Sequence, residues 1–138
     1  NSQMAEIQAA VLNIKLDYID EWQKKRMNIA KYYEQELKDL RSIKLFKTLD
    51  GNIHNFHKYV IRVDERDNLM RFLDNEGIAT KIHYPIPLHQ QKEFSNSSDM
   101  KKLTFVEDLS KNIISLPIYP SLKLEETKYI VKTLTEIL

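Results

Sequence analysis

Cysteine is absent from this chain of 138 residues. That removes disulfides, thiolate nucleophiles and most zinc-binding schemes, and it suits a reducing compartment such as the cytoplasm. Glycine is nearly absent: only Gly51 and Gly77 occur, against a usual share of about 7%. Two isolated glycines cannot build a GxGxxG turn or a P-loop, so the chain has no glycine-rich phosphate cradle of its own. Net charge is lacking too, because 21 basic and 20 acidic side chains nearly cancel. No field of one sign exists to draw the chain onto nucleic acid or an anionic membrane. No apolar run approaches the roughly 20 residues needed to cross a bilayer, and the polar opening residues do not resemble a signal peptide. What remains is an ordinary globular composition, 42% hydrophobic and 30% charged, in a length that suits one domain.

The opening NSQMAEIQAA has no initiator methionine and starts a helix at once, which fits a piece of a longer protein whose cofactor-gripping part lies elsewhere. Asn1 or Ser2 suits a helix cap, and Glu6 suits the first turn. Met4, Ile7, Val11, Ile14, Tyr18 and Trp22 recur every three or four positions, and Ile19, Ile29, Tyr33, Leu37 and Leu40 extend the stripe. This spacing predicts helix from Met4 to about Arg41, kinked near Leu16 to Glu21, with its first half reaching toward another domain or subunit. Such a stripe, left uncovered, should make the chain self-associate. If it folds back on its own domain instead, a charge at Ile7 would unfold the protein.

Beyond the helix, SIKLF (42–46), HKYVIRV (57–63) and IATKIHY (78–84) read as strands, the second being alternating and β-branched. DERDNLMRFLDNEG reads as a helix capped by Asp64 and stopped by Gly77. TFVEDLSKNIISL reads as helical to about Ile114, LPIYP as a short extended piece, and LEETKYIVKTLTEIL as a closing amphipathic helix. The expected fold class is α+β: a long N-terminal helix, then a small, mostly antiparallel sheet of three to four strands with helices packed on one face. Residues 1–41 form the interdomain or dimer helix and 42–138 the small domain.

The stretch KIHYPIPLHQQ holds two of the four histidines and two of the four prolines. Proline fixes φ and extends the residue before it, so Tyr84 and Ile86 are held extended between His83 and His89. A metal site would need three or four converging ligands. No HExxH is present, and His54 and His57, three apart in an extended segment, point to opposite faces. The histidines therefore divide between edge residues with ordinary hydrogen bonds and residues lining a polar ligand. Ser95, Ser97 and Ser98 lack a glycine elbow and read as solvated. Lys24, Lys25 and Arg26 read as a solvated helix face. No complete active site can be assembled from these residues.

Taken in order, NSQMAEIQAAVLNIKLDYIDEW, IAKYYEQEL, HNFHKYVIRV, KIHYPIPLHQQ and IISLPIYPSL resemble the C-terminal part of the DegT/DnrJ/EryC1/StrS family. These are pyridoxal 5'-phosphate aminotransferases acting on nucleotide-linked keto-sugars, and the pattern is most similar to members that aminate dTDP-linked 3-keto-6-deoxyhexoses. The resemblance covers essentially the whole chain. It implies a cytoplasmic homodimer of fold type I whose missing N-terminal large domain carries the Schiff-base lysine, so that this chain alone is inactive. It implies glutamate as amino donor and amino-sugar or surface polysaccharide synthesis as the purpose. Asn1 matches an asparagine that reaches the cofactor phosphate of the neighbouring subunit, although Gln3 stands where the family usually has arginine. His83 and Tyr84 match a loop at the mouth of the active site, where they would touch the nucleotide-sugar, and His57 matches a residue near it. The alternative is a non-catalytic binding or dimerisation module that pairs through its first helix.

Overall fold

A computed structural model describes residues 3–94 and 103–138. The positions expected to cap the first helix, Asn1 and Ser2, lie outside the described residues, as do Ser95, Ser97 and Ser98. The expected helical arm is two helices, α1 (Glu6–Leu16) and α2 (Ile19–Leu37). At the join, the Tyr18 N–H donates to the Lys15 carbonyl at 3.1 Å, and Trp22 then restarts the ladder from Tyr18 at 3.0 Å. The break therefore falls inside the stretch where the kink was expected. The Ala5 N–H donates to the Gln8 side chain at the start of α1, which satisfies one of the amides that a helix start leaves open.

Among the described residues the sheet has three strands in the order β1 (Lys44–Leu45), β2 (Tyr59–Arg62), β3 (Ile113–Leu116), both pairings antiparallel. The alternation in β2 turns Tyr59 and Ile61 into the core. Two expectations are corrected here. The segment 78–84 is not a strand: it makes a single bridge, Lys81 to Ser115, and then departs toward prolines that cannot donate to a ladder. The third strand is instead Ile113–Leu116, buried at every position, so the helix expected to run to Ile114 stops early. That helix, α4 (Thr104–Asn112), ends where the Asn112 amide donates to the Asp108 carbonyl and the Val63 N–H claims the Asn112 carbonyl.

Between β2 and β3 lies α3 (Arg66–Asn75), whose N-cap is Glu65 rather than Asp64. Gly77 has φ +74°, and the Ile78 N–H reaches the Leu73 carbonyl at 2.7 Å while Gly77 reaches Asp74 at 3.0 Å. This is a Schellman stop, and it needs the left-handed conformation that glycine adopts without steric cost. It also drops Ile78 into the core. The chain closes with α5 (Leu124–Ile137), which packs against α2. Tyr33 and Leu37 of α2, Ile61, Leu73, Ile114 and Leu134 are fully buried together, so α2, β2, α3, β3 and α5 bring their apolar faces to one core. α1 contributes nothing to it.

Candidate functional site

A cleft of about 740 Å³ opens between the start of β2, the bridge at Lys81, the segment after β3 and the first turns of α5. His57 and Lys58 form one wall, Lys81 and His83 another, and Ser115 stands between them. Pro117 to Tyr119, directly after β3, line the cleft as well, and Ile78, Leu116 and Ile130 give it apolar surface. A concave surface with an apolar floor and a few convergent polar groups is the form small-molecule sites take.

His83 is delivered by the bridge. The Ser115 N–H donates to the Lys81 carbonyl at 2.8 Å, which sets His83 two residues further on. Its Nδ1 lies 2.9 Å from the Ser115 hydroxyl. Partial burial, then the neighbouring charges of Lys58, Lys81 and His57, push the His83 imidazole below its ordinary pKa of 6.5. A neutral imidazole, held by one ring nitrogen, thus lines a cleft that also carries Lys58, Lys81, Glu125 and Glu126.

The four sequence candidates part company here. His57 and His83 both line the cleft. Tyr84 does not: it is 72% exposed, and its ring stands edge-on to His83 with centroids 5.5 Å apart. Asn1 lies outside the described residues. The other two histidines have local partners. His54 Nδ1 accepts the Phe56 N–H at 2.8 Å, and His89 Nε2 lies 3.1 Å from the Glu107 carboxylate on α4. Among the described residues no group of three or more His, Asp or Glu side chains is placed to hold a metal ion, and no helix is long and apolar enough to cross a membrane.

Two residues around the cleft went unread in the sequence. Ser115 sits in what looked like the end of a helix. Arg26 looked solvated, yet it is half-buried, and its Nη1 donates to the Ile118 carbonyl at 2.8 Å and the Phe56 carbonyl at 3.4 Å. A signal for Arg26 was present: Trp22, Arg26, Ile29, Tyr33 and Leu37 are spaced four, three, four and four apart, so the arginine lies in the apolar stripe.

Comparison with known proteins decides the family. The family described as DegT/DnrJ/EryC1/StrS aminotransferase matches residues 1–135. The chain belongs to this aminotransferase family. A dTDP-3-amino-3,6-dideoxy-alpha-D-galactopyranose transaminase of Aneurinibacillus thermoaerophilus is 38% identical, covering 96% of this chain and 36% of that protein. A protein of Geobacillus stearothermophilus named pleiotropic regulatory protein is also 38% identical, covering 99% and 37%. Among solved structures, S. venezuelae DesV in complex with a ketimine intermediate superposes with a TM-score of 0.92 at 31% identity, covering 99% of this chain and 37% of that one. The DegT/DnrJ/EryC1/StrS chain described here therefore spans little more than a third of the length of these relatives, and its α+β fold is that of the matching part of an aminotransferase.

Proposed function

We propose that this chain is the C-terminal part of a pyridoxal-phosphate-dependent aminotransferase that moves an amino group, from glutamate, onto a nucleotide-linked keto-sugar for amino-sugar and surface polysaccharide synthesis. Residues 1–41 serve as the interdomain and dimer helix, and 42–138 as the small domain. The observation that carries this reading is the end-to-end family match on a chain whose cleft joins His57 and His83. The name of the A. thermoaerophilus relative supplies the substrate class, and the ketimine in the S. venezuelae structure fits amino-group transfer. The G. stearothermophilus relative's regulatory name specifies no chemistry.

Pyridoxal phosphate, which membership of the family implies, needs a lysine amine to hold it, a carboxylate at its ring nitrogen and a cradle for its phosphate. The cleft does not meet these needs. Lys58 is half-buried and Lys81 exposed along its lining, with no carboxylate among the described residues paired to either as a ring-nitrogen partner would need; Glu125 and Glu126 lie exposed in the first turn of α5, where the Glu126 carboxylate accepts the Lys123 N–H at 2.7 Å. No step is therefore assigned to the cofactor within this chain. The part these residues play is to bind and orient substrate. His83, held neutral, and His57 offer imidazole nitrogens to hydroxyls, Lys58 and Lys81 attract a diphosphate, and exposed Tyr84 extends the wall outward. Asn1 reaches the cofactor phosphate of a partner subunit.

The test is transamination by the whole protein with glutamate and a dTDP-linked 3-keto-6-deoxyhexose, for the native sequence and for His83→Ala. Amino-sugar product that falls at least tenfold with the variant is expected from loss of a partly buried hydrogen-bonding group. Full turnover by the variant would remove His83 from the site. No product from the native protein with any nucleotide keto-sugar would remove the proposed activity.

A further inference from the structure

We infer that Arg26 is a positioning residue that holds two parts of the cleft's lining at a fixed separation from behind. The wall bearing His57 is an irregular loop, and its conformation is not one that the local sequence favours. Phe56 has φ +47°, the left-handed region that non-glycine residues rarely enter and that surrounding contacts must maintain. Two of those contacts are local: the Phe56 N–H donates to His54 Nδ1 at 2.8 Å, and the His57 N–H donates to the Asn55 side chain at 3.0 Å. The Phe56 ring packs on Tyr59 and the core, and two further hydrogen bonds come from α2, a distant part of the chain. The Arg26 guanidinium donates to the Phe56 carbonyl, and one turn earlier the Gln23 amide donates to the His54 carbonyl, each at 3.4 Å.

The same Nη1 of Arg26 donates to the Ile118 carbonyl at 2.8 Å, and Ile118 and Tyr119 form another part of the cleft's lining. One half-buried cation therefore joins both parts through backbone carbonyls, neither of which belongs to a regular strand or helix. A carbonyl in a loop that has lost its charged donor must find water or move, and charge-assisted bonds are the stronger kind. Arg26 does not line the cleft, so it acts through His57 and Tyr119 rather than on a ligand.

The consequence for binding rests on the reading that this cleft receives the nucleotide-linked substrate; the geometric part does not. Both are tested on the 138-residue chain, whose core closes with its own residues, by comparing the native sequence with Arg26→Met, which keeps the stem and removes the donors. In NMR spectra without ligand, the ring resonances of His57 and Tyr119 should shift while the methyls of Leu73 and Ile114 stay in place. Unmoved His57 and Tyr119 resonances, or shifts spread evenly through the core, would overturn the inference. Titration with dTDP should then show a Kd raised about tenfold by Arg26→Met, with most of the loss restored by Arg26→Lys. An unchanged Kd despite moved resonances would refute the positioning role. Failure of the native chain to bind dTDP would refute the substrate reading alone, leaving the ligand-free spectra to decide the role of Arg26. Should Arg26→Met not fold, Gln23→Ala must shift the resonances of residues 54–57 and leave Ile118 unmoved; no shift there would sink the clasp.

Discussion

α1 and the second half of α2 carry the same apolar spacing and meet opposite fates. In α2, Ile29, Ala30, Tyr33 and Leu37 are buried in the core. In α1, Ile7 is 75% exposed and Ile14 64%, and no residue is buried. Periodicity thus reveals which face of a helix is apolar, and says nothing about what covers it. The covered half is stabilised within this chain, whereas the uncovered half presents a stripe suited to another surface. Under the proposed function that surface is the rest of the enzyme or its dimer partner.

The sharpest way to break this contrast is to truncate one residue in each half. Leu37→Ala leaves a cavity and should cost about 2–5 kcal/mol, read as a lowered urea midpoint. Ile7→Ala should stay within about 0.5 kcal/mol of the native value. Equal losses would mean that α1 is covered by its own domain.

A smaller effect is expected at Tyr33, whose hydroxyl donates to the carbonyl of Pro117, a cleft-lining residue, at 2.9 Å. Burial first, then the neighbouring tyrosines Tyr59 and Tyr119, raises its pKa, so the donor proton is retained at ordinary pH. Tyr33→Phe strands a carbonyl and should cost about 1–2 kcal/mol in the same denaturation; a neutral result would show that the carbonyl is satisfied another way.

His83 supplies a pH dependence. Its folded-state pKa lies below the unfolded value of 6.5, so between the two the unfolded chain binds more protons than the folded one. The neutral-imidazole contribution is therefore complete above pH 6.5 and is lost as pH falls through the lowered value. Unfolding midpoints of the native chain and of His83→Asn should differ by a constant above pH 6.5 and converge below it. Parallel curves throughout would contradict the shift.

The smallest expected change is in stability on placing a charge at Ile7. Ile7→Glu should leave the unfolding midpoint in place and reduce self-association in sedimentation, because the stripe of α1 is exposed. An unfolded variant would restore the fold-back alternative considered from the sequence.

How much could be read beforehand follows the same physics. The helices, β2 and the Gly77 stop were legible because each has a local cause: a period, an alternation, a residue able to take positive φ; the break near Asp17 followed only from a stripe too long for one small domain to bury. β3 was not, since Ile113–Leu116 is buried throughout and a short continuous apolar run after a helical pattern carries no period to separate strand from helix. That one misreading hid Ser115, and with it the hydroxyl that holds His83 from 32 positions away. Arg26 was hidden differently, as a charge assumed to face water, although its position in the apolar stripe pointed inward. Resemblance to a family brought His57, His83 and Tyr84 forward together; the geometry puts the two histidines in one cleft and Tyr84 outside it.

The central claim is that this chain lends a wall and a docking helix to an active site whose reactive amine belongs to another part of the protein. Visible absorbance after adding pyridoxal phosphate to the 138-residue chain, followed by borohydride reduction and mass spectrometry, tests it most directly. The account predicts no stoichiometric aldimine band and no single lysine carrying the reduced cofactor. A full-strength band with the label on one residue, Lys58 or Lys81 above all, would contradict it.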